Sequence, residues 1–259
     1  MKIGVLVKQV AGSESPLRID SNEKWVEEGS IDFATNESDS YALEEALQIL
    51  ERSGDNGEVV VISMGPTDRT PKVIREALAK GGNRAVHIQE EAPYETDPFI
   101  VASIFAEVLK DESFDLILSG LQSDDLGSGQ TGVILGELLG MSTATLVMGV
   151  ELQDGKLRAK RELESGWFQW VTMPFPACIT IQSGLNQPRY PSLKGIMGAK
   201  KKEIKSIAKS DIKVSAPSMQ GFSKMYLHKA EKRTEMIEGS TDQIVEKMVD
   251  IFKKEIKAI

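Results

Sequence analysis

Residues 58–88 read EVVVISMGPTDRTPKVIREALAKGGNRAVHI. The stretch opens with a β-branched run at 58–63, continues with apolar residues at helical spacing over 70–80, and returns to an apolar run at 84–88. Gly81 and Gly82 stand where the helix is expected to end. Two short strands that are joined through a helix lie parallel in one sheet, so this stretch predicts a β-α-β unit.

The same alternation continues on both sides of this unit. Further strands are predicted at 3–7, 115–119 and 143–147, and further helices at 38–52, 97–110 and 129–139. The strands are almost continuously apolar in their centres, which is typical of a sheet covered on both faces. We therefore expect an α/β fold with a parallel sheet, right-handed crossovers and ligands bound at the carboxyl ends of the strands.

The pattern changes after residue 147. Segments with alternating apolar and polar residues lie at 150–152, 156–163, 167–173 and 177–182. They are separated by turn residues such as Asp154 and Gly155, a pair that is typical of β-hairpins. These segments predict an antiparallel extension of the same sheet.

The last third of the chain predicts a loop, a linker and a helix. A proline-punctuated loop and a basic stretch occupy 184–202, and a linker of low hydrophobicity follows at 206–222. Ser240 and Gln243 fit a capping box at the start of an amphipathic helix. We expect one α/β domain over 1–205, followed by a linker and a helical arm over 206–259 that docks on another subunit.

The composition narrows the class of protein. The 259 residues include 31 Lys and Arg against 39 Asp and Glu, a net charge of −8. This charge disfavours nucleic acid or an anionic membrane surface as the main partner. No apolar run is long enough to span a membrane, and the amino terminus lacks a signal-peptide pattern, so we expect a cytoplasmic protein.

No catalytic or metal-binding constellation can be assembled from the sequence. A single cysteine, Cys178, excludes an internal disulfide and a cysteine-based zinc site. His87 lies in a strand pattern and His228 in a polar segment, so neither suggests a catalytic triad. The chain also lacks a P-loop motif. These absences favour a binding module or a carrier subunit over an enzyme. We also expect no bound metal ion.

The most informative motif is GLQSDDLGSGQTG at 120–132, which leaves a predicted strand and enters a predicted helix. Its glycines let the backbone approach a ligand closely, and N–H groups near Gly129, Gln130, Thr131 and Gly132 at a helix start suit a phosphate. The alternative is a solvated glycine loop capped by Asp125 or Ser128. The loop residues alone leave both interpretations open.

A second motif, LNQPRYPSLKGIMGAKKK at 185–202, combines apolar and basic residues. Such apolar groups gain by burial in a pocket of a partner, and neighbouring cations steer its approach. The alternative is a loop that packs on its own domain. The candidate docking residues are Tyr190, Leu193, Ile196, Met197, Lys200, Lys201 and Lys202.

These two motifs, together with RELESG at 161–166, NESDSYALEEA at 36–46 and SMGP at 63–66, resemble the β (small) subunit of electron transfer flavoprotein. The resemblance covers essentially the whole chain in the right order. It implies an adenine-nucleotide-binding domain of the Rossmann-like, nucleotide α-hydrolase-like type. It also implies a heterodimer with a larger α subunit, which carries the redox FAD, while the β subunit holds a structural AMP.

The resemblance also implies roles for individual residues. Leu193 corresponds to the leucine that anchors dehydrogenases such as acyl-CoA dehydrogenases, and the heterodimer passes electrons to a quinone-linked or other acceptor oxidoreductase. Glu162 corresponds to an acid that restrains the mobile flavin domain. Contacts to AMP are implied for Leu6, Asn36, Asp39, Met64, Ser123, Leu126, Gly129, Gln130 and Thr131.

Two alternatives remain at this point. Flavin-bifurcating members of the family bind a second FAD in place of AMP, typically with a different loop from the SDDLGSGQTG found here at 123–132. Some relatives also have aromatic residues near the flavin where this chain has Ser13 and Ser38. A stand-alone ATP-binding protein of the stress-protein type would use the same glycine loop without an α partner.

Overall fold

A computed structural model describes residues 1–54, 56–92, 97–228 and 234–258. The chain divides into two compact units, Met1–Met225 and Tyr226–Ile259. The helices are α1 (Glu37–Ser53), α2 (Thr70–Lys80), α3 (Pro98–Leu109), α4 (Thr131–Leu138), α5 (Leu193–Ala199) and α6 (Thr241–Ile251). The strands are β1 (Lys2–Leu6), β2 (Gln9–Ala11), β3 (Phe33–Thr35), β4 (Glu58–Gly65), β5 (Arg84–Gln89), β6 (Leu116–Gly120), β7 (Ser142–Gln153), β8 (Lys156–Glu162), β9 (Phe168–Met173), β10 (Ala177–Ile181) and β11 (Ile204–Ala208).

The first unit is built on a nine-stranded sheet with the order β11-β5-β4-β1-β6-β10-β7-β8-β9. Neighbouring strands from β11 to β7 are parallel, and β7, β8 and β9 are antiparallel. The predicted α/β fold with a parallel sheet and an antiparallel extension is therefore confirmed. From β1 the chain proceeds first to β4 on one side and later to β6 on the other, and ligands of such sheets bind at this switch point.

The apolar core has one layer on each face of the sheet. In β4, Val59 and Val61 face the layer that contains α1 and α2, whereas Val60 and Ile62 face the layer that contains α3 and α4. Because successive side chains of a strand point to opposite faces, a strand covered on both sides needs a continuous apolar run. This requirement explains the sequence of residues 58–63.

The prediction that 177–182 belongs to the antiparallel extension is wrong. Strand β10 lies between β6 and β7 and pairs parallel with both, with Cys178 opposite Ile117 and Thr143. All five residues of β10 are buried. A short, continuously buried run is typical of a central parallel strand. Pro174 and Pro176 precede β10 and only mark where this strand begins.

Several elements were not predicted. Helix α5 occupies the expected loop, β11 adds an edge strand beside β5, and β2 and β3 form a separate two-stranded antiparallel sheet. Strand β11 spans residue 205, so the first unit continues past the expected domain boundary. Ser218, Met219 and Gln220, in the expected linker, hydrogen-bond to Asp97 at the start of α3.

The second unit contains α6 and a π-helical turn, Phe252–Ile256. The predicted capping box is confirmed, since Ser240 Oγ accepts from the Gln243 N–H and Gln243 Oε1 accepts from the Ser240 N–H. Within the described parts of the chain, no helix is both long and apolar enough to cross a membrane.

Candidate functional site

A cavity lies at the carboxyl ends of β1, β4 and β6, between the starts of α1, α3 and α4. This is the position at which parallel α/β sheets bind their ligands. The structure brings all nine residues implied for AMP contact to the wall of this one cavity: Leu6, Asn36, Asp39, Met64, Ser123, Leu126, Gly129, Gln130 and Thr131.

Asp39 forms part of the cavity wall and joins two strands. Its Oδ2 accepts the Lys8 N–H, just after β1, and its Oδ1 accepts the Gly120 N–H at the end of β6, both at 2.8 Å. Burial raises the pKa of this carboxyl to about 6, although the two backbone N–H groups favour its charged form. Since both oxygens already accept backbone bonds, Asp39 shapes the cavity as well as lining it.

Asn36, immediately before α1, holds the glycine loop. Its Nδ2 donates to the carbonyl oxygen of Gln122 at 2.9 Å, and its Oδ1 accepts the Asp124 N–H at 2.9 Å. Ser38 Oγ donates to the same Gln122 carbonyl at 2.8 Å. The start of α1 therefore fixes the strand-to-helix connection on which the predicted phosphate site depends.

The glycine loop ends in free backbone N–H groups at the start of α4. Among the described residues, the N–H groups of Gly129, Gln130, Thr131 and Gly132 have no hydrogen-bond acceptor. Gly129 has φ +63°, a conformation that L side chains rarely adopt. The helix begins at Thr131, two residues later than predicted, because Gly129 turns the chain before the helix. This arrangement suits an anionic group.

The start of α4 lies directly against the sheet. A Cβ atom on Gly132 would collide with Ser119 Oγ and lie 2.9 Å from Thr180 Cγ2, so only glycine fits there. Ser119 lines the cavity and is 5% exposed, and its hydroxyl has no hydrogen-bond partner in the described part of the chain. A buried hydroxyl without a partner is costly, and a polar ligand group in the cavity would satisfy it.

Sequence reasoning missed part of the cavity wall, on α3 and directly after β1. Pro98, Val101 and Phe105 of α3 supply an apolar wall, which suits a planar base. Lys8 supplies a cation, whose Nζ donates to Asp125 Oδ1 at 2.6 Å and to Ser123 Oγ at 3.2 Å. The apolar residues look like ordinary core positions in the sequence, whereas the position of Lys8 directly after a predicted strand is a signal that could have been used.

The candidate docking residues form an exposed apolar surface. Tyr190, Leu193 and Met197 are 93%, 82% and 72% exposed, and Ile196 is also exposed. Leu193 and Met197 are one helical turn apart in α5, which places them on one side of that helix. We call Tyr190, Leu193, Ile196 and Met197 the loop surface.

The three lysines after the loop surface differ in environment. Lys200 and Lys201 are exposed. Lys202 is half-buried, and its Nζ donates to the carbonyl oxygens of Leu78 and Gly82 at the end of α2, at 2.9 and 2.5 Å. Burial lowers the pKa of Lys202. Its ammonium group therefore caps a helix, whereas the other two lysines present their charges to solvent.

The remaining candidates lie apart from the cavity. Glu162 ends β8 and accepts a bond from Gln182 Nε2 at 3.2 Å. His87 is buried and its Nε2 lies 3.0 Å from the Gly65 carbonyl oxygen. Cys178 is buried, and burial raises the pKa of its thiol to about 12. In the described ranges, no three His, Cys, Asp or Glu residues are placed to share a metal ion.

Comparison with known proteins identifies the family of the chain. A family model described as the electron transfer flavoprotein domain matches residues 24–212. The electron transfer flavoprotein subunit beta of Methylophilus methylotrophus is 37% identical over 262 residues, which cover 98% of each chain. The protein of the same name from Bacillus subtilis is 30% identical over the full length of both chains. This chain belongs to the electron transfer flavoprotein β-subunit family.

Membership of the electron transfer flavoprotein β-subunit family assigns the chain to electron transport and implies an α subunit as its partner. The matched region contains α1, the glycine loop and the loop surface. Of the two serines discussed above, Ser13 is exposed, and Ser38 is buried with its hydroxyl bound to the glycine loop. Ser38 thus supports the cavity wall.

Proposed function

We propose that this chain is the AMP-binding scaffold subunit of a heterodimeric electron transfer flavoprotein. The observation that carries the proposal is the convergence of nine residues from four separate segments of the chain on one cavity, beside the free N–H groups of α4. The subunit carries no catalytic residues of its own and takes part in electron transfer by holding the α subunit, which carries FAD, and by docking the electron donor.

The cavity fits an adenine mononucleotide by its chemistry. The apolar side chains of Leu6, Met64, Val101 and Phe105 offer a surface to the base. The N–H groups at the start of α4 offer hydrogen bonds to one phosphate group, and Ser119 offers a hydroxyl without a partner. When AMP is bound, it stabilises the folded subunit by mass action without being consumed.

The proposed donor contact is the loop surface. Leu193 and Met197 enter an apolar pocket of a dehydrogenase such as an acyl-CoA dehydrogenase, and Lys200 and Lys201 steer its approach. The flavin domain of the α subunit then takes electrons and passes them to a quinone-linked or other acceptor oxidoreductase. Because that domain is tethered beside the docked donor, electron transfer does not require tight binding.

Two further regions are assigned to the α subunit. Glu162 restrains the flavin domain between encounters, and the segment 206–259 serves as the arm that contacts the α subunit. The exposed apolar residues Val245, Met248 and Phe252 of this arm support the second assignment. We place the complex in the cytoplasm, where the unpaired, buried Cys178 needs no disulfide partner.

The proposal is tested by co-purifying the chain with its α subunit, denaturing the complex, and identifying the released nucleotides by chromatography and mass spectrometry. One FAD and one AMP per heterodimer is the expected result. Two FAD would instead indicate the flavin-bifurcating class, with FAD in the β-subunit cavity. ATP without a flavin-bearing partner would contradict the proposal and favour a stand-alone ATP-binding protein.

A further inference from the structure

The segment that carries the loop surface is fastened to α1 by Arg189. The guanidinium group donates from Nε and Nη2 to the two carboxylate oxygens of Glu44, at 2.8 and 3.0 Å. Its Nη1 donates to Glu51 Oε1 at 2.6 Å, two turns further along α1. Glu44 is 4% exposed. A planar guanidinium that joins two carboxylates fixes direction as well as distance.

The hydrogen bonds between Glu44 and Arg189 favour the charged forms of both side chains. Burial opposes ionisation of Glu44, but the hydrogen bonds from Arg189 and Gln48 outweigh it, so the pKa of Glu44 lies below its usual value. The bonds to Glu44 and Glu51 raise the pKa of Arg189. A lysine at position 189 would retain the charge but lose the two-pronged geometry.

The other end of the same segment is fastened to α2. Arg75 Nη1 donates to the carbonyl oxygens of Ala199 and Lys202, at 2.5 and 2.7 Å. The backbone of α5 lies close to α2, since a Cβ on Gly195 would collide with the Ala79 carbonyl oxygen. Residues 190–197 therefore lie between two anchored ends, with Leu193 and Met197 directed to solvent.

We propose that Arg189, acting through Glu44 and Glu51, is a positioning residue that holds the loop surface in the geometry in which it meets the donor dehydrogenase. The inference rests on the proposed docking function of Leu193 and adds a residue that need not touch the donor. Without the Arg189 anchor, the stretch directly before α5 would sample more conformations, and docking would have to order it at a cost in affinity.

The test uses the complete heterodimer and an acyl-CoA dehydrogenase chosen because it reduces the wild-type heterodimer. KM for the heterodimer and kcat are measured for R189Q, R189K, L193A and the R189Q/L193A double variant. R52Q is the matched control, because Arg52 also pairs with an acidic residue of α1 but bonds only Glu45 and Gln48 among the described residues. FAD and AMP content and circular dichroism verify assembly.

We expect R189Q to raise KM about fivefold, the cost of ordering a few side chains on docking, with kcat unchanged. R189K should raise KM by less, and R52Q should leave it unchanged. In the L193A background R189Q should have little further effect, because Arg189 acts through the surface that L193A has removed. If R189Q does not assemble, R189K gives the same comparisons.

Three outcomes would separate this inference from the proposed function. If L193A raises KM but neither Arg189 variant does, docking stands and the positioning role of Arg189 is wrong. The same conclusion follows if the effects of R189Q and L193A on KM multiply in the double variant. If L193A itself leaves KM unchanged, the docking function fails.

Discussion

The Asp39 carboxylate accepts the backbone N–H of Gly120 at 2.8 Å, across 81 positions of the chain. Its second oxygen accepts the N–H of Lys8, so one side chain fixes the first turn of α1 to two neighbouring strands. Helix α1 continues to Glu44 and Glu51, which hold Arg189. The same helix therefore supports the nucleotide cavity at one end and the loop surface along its length.

Titration of Asp39 should make the stability of the folded protein decrease as the pH rises. Its folded-state pKa of about 6 lies above the ordinary value of 3.8, so the folded state retains the proton to higher pH than the unfolded state. The stability contributed by Asp39 is complete below pH 3.8 and is lost as the pH rises through 6. Between pH 5 and pH 7.5 the loss amounts to roughly 1 kcal/mol.

The measurement is the melting temperature of the heterodimer between pH 5 and pH 7.5, for the wild type and D39N. The wild type should lose about 2–4 °C relative to D39N over this interval. His87, whose pKa is lowered by burial, contributes in the opposite direction, but it is present in both proteins and cancels in the difference. Parallel curves for the two proteins would show that Asp39 does not titrate in this range.

Gly132 sets the distance between α4 and the sheet. In G132A the new methyl group meets Ser119 Oγ and Thr180, and the first turn of α4 must move away from β6. We expect a destabilisation of about 1–3 kcal/mol and a clear loss of bound AMP, because the free N–H groups move with the helix.

The matched control for G132A is G29A. Gly29 is exposed, and no atom lies within 4 Å of a Cβ built on it, so both AMP content and melting temperature should stay at wild-type values. AMP is measured in the denatured heterodimer by chromatography. Full AMP occupancy in G132A would show that the start of α4 does not hold the phosphate.

The architecture of the sheet and the polar part of the cavity could be predicted because each depends on local sequence. A continuous apolar run such as 58–63 fits only a strand covered on both faces, and glycine and serine at 119–132 mark a close approach of the backbone. Phe105 could not be predicted as a cavity residue, because an apolar residue at helical spacing looks the same whether it faces a core or a ligand.

The unpredicted elements depend on contacts between distant residues. Strand β11 is an edge strand with exposed residues, and its place beside β5 depends on pairing across more than 100 positions. Helix α5 is short, contains two glycines, and is held by Arg75 and by close contact with α2. The strand propensity of β11 and the helix propensity of α5 are both too weak for either element to be predicted from its own sequence.

Leu193 should be required for reduction by the donor but not for nucleotide binding. L193A removes the most exposed apolar side chain of α5, so we expect slower electron transfer from the dehydrogenase, by about tenfold, with unchanged AMP and FAD content. L152A, which truncates an exposed leucine of the antiparallel extension, is the control and should transfer electrons at the wild-type rate. Stopped-flow reduction of the heterodimer by the reduced dehydrogenase measures the electron-transfer rates of both variants. Equal rates for L193A and wild type would exclude Leu193 as the anchor.

Lys202 should contribute to stability, whereas Lys200 and Lys201 should contribute to association with the dehydrogenase. Lys202 Nζ bonds two carbonyl oxygens at the end of α2, so K202M should lower stability by about 1–2 kcal/mol, because it leaves these acceptors without a donor. Lys200 and Lys201 are exposed, and K200M/K201M should leave stability unchanged but slow association with the dehydrogenase at low salt. Melting temperatures and association rates at low and high ionic strength distinguish the two variants. If K202M instead changes the salt dependence of association as strongly as K200M/K201M does, its charge is available to the partner and the capping assignment is wrong.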